Sequence, residues 1–204
     1  NWETAVMEFR RAAELDSLHA GTRFALACCL DVSGHRIEAR LEYAKARDYD
    51  LLRFRTSGEF NQMITEMEDG TTVGVADMER VFMIHSPDSL IGNELVLEHV
   101  HPNSRGYFLM AGEFARVMRR LDLFTSSSEW ARNDTIPEST LWNERPVTEV
   151  DERIAARRTA ILIAGWPFSS RQGVVPPVDS ADTLGRIVEG MHGRPGNRAN
   201  AVFG

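Results

Sequence analysis

The chain has 204 residues, of which 43% are hydrophobic and 26% charged, and it carries a formal net charge of −7. Such a chain fits one large or two small globular domains with a core of useful size. The acidic balance, with no basic face, argues against a nucleic-acid partner, and the longest apolar run, Ala160 to Trp166, falls short of the ~18–20 residues that span a bilayer.

The chain starts with Asn1, and no signal peptide opens it, so targeting is not legible here. The segments "WETAVMEFRRAAELD" (2–16) and "RIEARLEYAKARDYD" (36–50) align at an offset of 34 residues: Ala5 with Ala39, Glu8 with Glu42, Phe9 with Tyr43, Ala12 with Ala46, Asp16 with Asp50. Between them, residues 20–32 read as a further helix carrying Leu26, Ala27 and Leu30, with Gly34 in the following turn. Small residues at this spacing let helices approach closely, and the larger ones fill the groove. The period and pattern resemble tetratricopeptide repeats, with Arg23 and Arg36 standing where that family usually has aromatic residues. One and a half repeats are present, so Asn1 falls inside a repeat. The chain is therefore expected to be a piece of a longer protein, or else residues 56–69 pack on as a capping helix. The resemblance implies a protein or peptide partner for the repeat helices. The predicted close contacts are Ala12, Ala27 and Ala46. The only cysteines, Cys28 and Cys29, are adjacent and read as helix or core residues.

Residues 57–69 predict a helix capped by Ser57, with Phe60, Ile64 and Met67 on one face. "VGVAD" predicts a short buried strand over 72–77 that ends at Asp77, and 85–94 is rich in turn formers. "LVLEHV" reads as a brief extended stretch. From Ser104 to about Leu123 the spacing is helical, with Tyr107, Phe108, Ala111, Phe114, Ala115, Met118 and Leu121 on the predicted apolar face.

Before that helix lies "EHVHPNSRGY" (98–107), which concentrates a carboxylate, two histidines, a proline, an asparagine and a glycine. Imidazole suits proton transfer near neutral pH, and a carboxylate on its second nitrogen fixes the tautomer and stabilises imidazolium. Glu98 and His101, three residues apart, are the candidate catalytic pair, and Asn103 is placed to cap the helix. A metal reading of His85, Glu98, His99 and His101 has weaker support, because their spacing is not helical i, i+4 and no cysteine joins them. No metal or cofactor is implied.

"EHVHPNSRGYFLMA" resembles the last block of the SGNH hydrolases, also called the GDSL esterase family, whose pattern is Asp-x-x-His, Pro or Leu, Asn, then Gly. The matching positions are Glu98, His101, Pro102, Asn103 and Gly106, with Glu98 departing from the usual Asp. More closely, "ARDYDLLRFR" with "FNQMI" and "GNELVLEHVHPNSRGYFLMA" resembles long bacterial proteins that combine tetratricopeptide repeats with an SGNH-like hydrolase. The resemblance spans about residues 1–123. It implies hydrolysis or transfer of an ester-linked acyl group, with His101 as base and Glu98 as its orienter. The family's Gly-Asp-Ser block and the blocks carrying its oxyanion-hole Gly and Asn are not found: "SGH" (33–35) belongs to the repeat turn, and "IGNE" (91–94) lies too near the histidine. The nucleophile is therefore expected upstream. The alternative is a protein-binding tetratricopeptide scaffold whose hydrolase element is degenerate.

In the tail, 147–168 predicts a helix opened by a Thr148–Asp151 capping box, with Ile154, Ile161 and Leu162 as an apolar stripe. Residues 169–180 look like a linker, 180–193 like a weak helix and 194–204 like a disordered tail. The expected fold is mainly α with a small α/β element: tetratricopeptide-type hairpins over 1–55, the closing strand–loop–helix of an SGNH-like domain over 56–123, and a helical extension over 124–204.

Overall fold

A computed structural model describes residues 1–165, 168, 175 and 182–192; the linker and tail expectations for 169–180 and 194–204 lie almost wholly outside the described residues. The chain is mainly helical. It divides into two compact units, Asn1–Pro137 and a second beginning at Glu138.

In the first unit, α1 (Trp2–Leu15), α2 (Ala20–Val32) and α3 (Arg36–Asp48) follow one another through tight turns at 16–19 and 33–35, with α1 on α2 and α2 on α3. Gly34 takes the left-handed conformation, φ 83°, that ends α2. Val6, Leu26, Cys29, Leu30 and Ala39 form the core here, flanked by Ala5, Phe9 and Tyr43. Ala27 and Ala46 are buried as expected. On α1 it is Ala13 that is buried, while Ala12 is only half-buried, because the inward stripe runs Val6, Phe9, Ala13. Of the two arginines that depart from the repeat pattern, Arg23 binds within the three-helix array and Arg36 reaches outside it. Arg23 reaches Glu42 at 3.0 Å and the Ser17 carbonyl at 3.1 Å, and Arg36 pairs with Asp88.

The helix α4 (Gly58–Thr65) forms within the expected 57–69 but stops before Met67 and buries none of its side chains, and Phe60, Ile64 and Met67 are all exposed. Ser57 does not cap it through its hydroxyl. Instead Asp48, at the end of α3, accepts the Gly58 N–H at 2.8 Å. Arg47 donates to Glu79 at 2.5 Å, and the Asn61 amide donates to the other Glu79 oxygen at 2.7 Å, so one polar network ties α3, α4 and α5 (Met78–Ile84) together.

The strand expected over 72–77 is not formed. Among the described residues there is no strand, only an isolated antiparallel bridge between Val96 and Pro102. Residues 73–77 run as irregular chain, with no strand partner, against the end of the helix α6 (Ser104–Arg120). A Cβ on Gly74 would come within 2.6 Å of Val117 and 2.5 Å of Leu121. Asp77 is a helix cap and not a strand end, because its carboxylate accepts the Arg80 N–H at 2.9 Å. Asp77→Ala is accordingly expected to destabilise this unit by about 1 kcal/mol, read as a lower urea midpoint at unchanged slope.

The buried face of α6 also differs from the expected one. Tyr107 and Phe114 are exposed, while Gly106, Glu113 and Val117 are buried. Glu113 is tolerated inside because Arg116 binds both its oxygens and Arg80 stands 3.7 Å away. The Arg116 hydrogen bonds outweigh the effect of burial and hold its carboxyl below the usual range. A second core of Val81, Phe82 and Leu95, with Val96, Leu109 and Met110 against it, joins α5 to α6. Residues 127–133 add a short helix, α7 (Ser127–Asn133), within the stretch expected to be a helical extension but with no bounds assigned from the sequence.

The second unit holds α8 (Glu138–Asn143), α9 (Glu149–Ile163) and α10 (Thr183–His192). The capping box opens α9 as expected: Thr148 accepts the Asp151 N–H at 3.3 Å, and Asp151 accepts the Thr148 N–H at 2.9 Å. Arg153 pairs with Asp182 at the start of α10. Among the described residues no helix is long and apolar enough to cross a membrane.

Candidate functional site

The loop between the Leu95 region and α6 carries the candidate pair. Its base is fixed from below, because Leu95 is buried against Val81 and Phe82. Three hydrogen bonds close the loop. The Leu97 N–H donates to the His101 carbonyl at 2.8 Å, the Asn103 N–H to the Leu95 carbonyl at 2.9 Å, and the Asn103 side-chain amide to the Asn93 carbonyl at 3.0 Å. The Asn103 side-chain oxygen accepts the Gly106 N–H at 3.0 Å, so one asparagine both caps α6 and anchors the loop. Gly106 lies within the first turn of α6 and makes the closest approach to the loop base. A Cβ there would stand 2.3 Å from the Leu95 carbonyl oxygen.

On this frame Glu98 folds back over its own loop. One carboxylate oxygen accepts the Val100 N–H at 3.0 Å; the other accepts the His101 N–H at 3.1 Å and contacts the His101 ring at Nδ1. The Glu98 side chain is only 4% exposed, while that of His101 is 65% exposed. The carboxylate is therefore held inside and the imidazole is presented to solvent. His99 also turns inward. Its Nδ1 stands against the second Glu98 oxygen, as a close charge–dipole approach without hydrogen-bond alignment, and its ring packs edge-on to Phe54 with centroids 5.2 Å apart.

Burial pushes the Glu98 carboxyl up, but the His101 ring, the Val100 and His101 amides and the neighbouring His99 together bring it below its ordinary value. A carboxyl lowered on folding stabilises the fold above its unfolded value of about 4.3, and that stabilisation is lost as pH falls through the lower folded value. Glu98→Gln should therefore be less stable than wild type at pH 7. The difference should shrink below about pH 4, as followed by urea denaturation at both pH values.

The geometry suits proton transfer. A carboxylate on Nδ1 holds the proton there and leaves Nε2 as the basic nitrogen. His85 is not part of the site: its Nδ1 lies 2.8 Å from the Val81 carbonyl at the end of α5. Although Glu98 meets both His99 and His101, no group of three His, Cys, Asp or Glu side chains among the described residues is arranged to hold a metal ion. The apolar groove lined by Val73, Gly74, Ala76, Phe114, Val117 and Leu121 is separate from the pair, about 20 Å along α6 from its first turn. Sequence reasoning missed the anchoring role of Asn93 and the contact of Phe54 with His99. The first spans ten positions and the second forty-five, and neither leaves a periodic signal. Comparison with protein-family models, with curated proteins and with solved structures found no match.

Proposed function

We propose that this chain carries the acid–base half of an SGNH-type site that hydrolyses or transfers an ester-linked acyl group. His101 is the base and Glu98 its orienting carboxylate, and the serine nucleophile comes from outside these 204 residues. The observation that supports this reading most is the buried Glu98 carboxylate held on Nδ1 of an exposed imidazole. His101 Nε2 takes the serine hydroxyl proton as the oxygen bonds to the acyl carbon, then gives it to the departing alkoxide. Water is deprotonated in the same way to release the acid. In this reading α1–α3 are tetratricopeptide-type hairpins that hold the catalytic element, and the closing strand–loop–helix of the hydrolase is represented by the loop and α6.

A second reading, a protein- or peptide-binding scaffold with a degenerate hydrolase element, is favoured by the exposed Phe24, Ile37 and Leu41 on α2 and α3. The test is turnover of an activated ester such as p-nitrophenyl acetate by the full-length protein and its His101→Ala variant. Loss of turnover in the variant supports the hydrolase. Turnover that is absent in both, or unchanged by the substitution, leaves the scaffold.

A further inference from the structure

We infer that His99 is a positioning residue, holding the second oxygen of Glu98 so that the first stays on His101 Nδ1. Its purpose rests on the hydrolytic reading above, but its test does not. A glutamate has one more torsion than an aspartate, so a carboxylate that must stay on one imidazole needs a constraint that the shorter side chain would not. The loop amides of Val100 and His101 supply part of it, one to each oxygen. The rest is supplied by ring contacts. Glu98 lies between two imidazoles, with one oxygen against Nδ1 of His101 and the other against Nδ1 of His99.

The two histidines are treated differently by the fold. The His101 ring is exposed, as a proton-transfer group needs to be, whereas both ring nitrogens of His99 are shut off from solvent. The His99 ring is held edge-on by Phe54, at an interplanar angle of 82°. Phe54 comes from the segment that joins α3 to α4, so the orientation of the pair is tied to the end of the helical array. The close approach of His99 Nδ1 to one carboxylate oxygen blocks and opposes rotation of the whole group, which would carry the other oxygen off His101. His99 touches no reacting atom in this arrangement; it acts through Glu98.

The readout is the tautomer of neutral His101, from long-range proton–nitrogen correlations on the nitrogen-15-labelled 204-residue chain at a pH above the imidazole range. With Glu98 in place, the proton sits on Nδ1. His99→Phe keeps a ring on Phe54 but removes the ring nitrogen that faces Glu98, and His99→Asn keeps a polar amide near the Nδ1 position. The Nδ1–H population of His101 should fall by about half in His99→Phe and recover in His99→Asn. A wild-type tautomer in His99→Phe would overturn the inference, as would equal loss in both variants, which means only that a native ring is needed there. Amide signals of Asn103 and Gly106 report whether the loop is intact. If His99→Phe does not fold, His99→Asn decides alone, with the native tautomer in support and its loss against. Because the measurement requires no turnover, a negative ester assay leaves this inference standing, and its own failure leaves the ester assay unaffected.

Discussion

His101→Ala in the full-length protein is expected to lower kcat for an activated ester about a thousandfold, within the ~10²–10⁴ range for losing a general base. KM should change little, because in the proposed reading the imidazole acts on the nucleophile and not on the ground-state ester. The fold should survive. The side chain is 65% exposed, and the backbone N–H of residue 101, which binds Glu98 at 3.1 Å, is kept by alanine. Circular dichroism and urea unfolding of the variant should therefore match wild type to within about 0.5 kcal/mol. A large loss of stability would mean that His101 is a packing residue and that any drop in turnover says nothing about proton transfer.

Gly106→Ala is expected to destabilise the first unit by about 3 kcal/mol, at the upper end of the cost of overpacking. The added methyl would meet the Leu95 carbonyl oxygen at 2.3 Å, the Pro102 Cβ at 2.9 Å and the Phe82 ring at 3.2 Å. The first of these cannot yield easily, because that carbonyl also accepts the Asn103 N–H at 2.9 Å, and Leu95 is buried in the core beneath. Relief must come from moving α6 off the loop, which would also loosen the Glu98–His101 pair. Gly112 on the same helix is the control. It is exposed, and a methyl there meets nothing within 4 Å. Gly112→Ala should stabilise by about 0.5–1 kcal/mol, through the better helix propensity of alanine. Opposite signs from the same substitution on one helix, read as urea midpoints, would establish that contact with the loop is the cause. Two similar small gains would show that α6 does not press on Leu95.

What the sequence by itself determined is what short-range interactions decide. The three opening helices follow from their apolar spacing, the α9 capping box from Thr148 and Asp151, and the cap of α6 from Asn103. The meeting of Glu98 and His101 belongs to the same class, since three residues on a tight loop leave a glutamate little else to bind than the amides and ring beside it. The tertiary structure alone decided what depends on distant neighbours. "VGVAD" has strand-like residues, but a strand needs a hydrogen-bonded partner strand, and the segment lies instead against Val117 of α6 and Leu121 just after it, with Asp77 turned to capping α5. The inward face of α6 could not be read from hydrophobicity because Arg116 and Arg80 make a buried Glu113 acceptable, which leaves Tyr107 and Phe114 outside. The cap of α4 comes from Asp48 of the preceding helix, ten residues from the N–H it satisfies, and not from the adjacent Ser57. His99 gains its place beside Glu98 through Phe54, forty-five positions earlier in the chain. A side chain's local partners are fixed by the length of its own tether, whereas these contacts exist only once separate helices have packed and brought remote groups within reach.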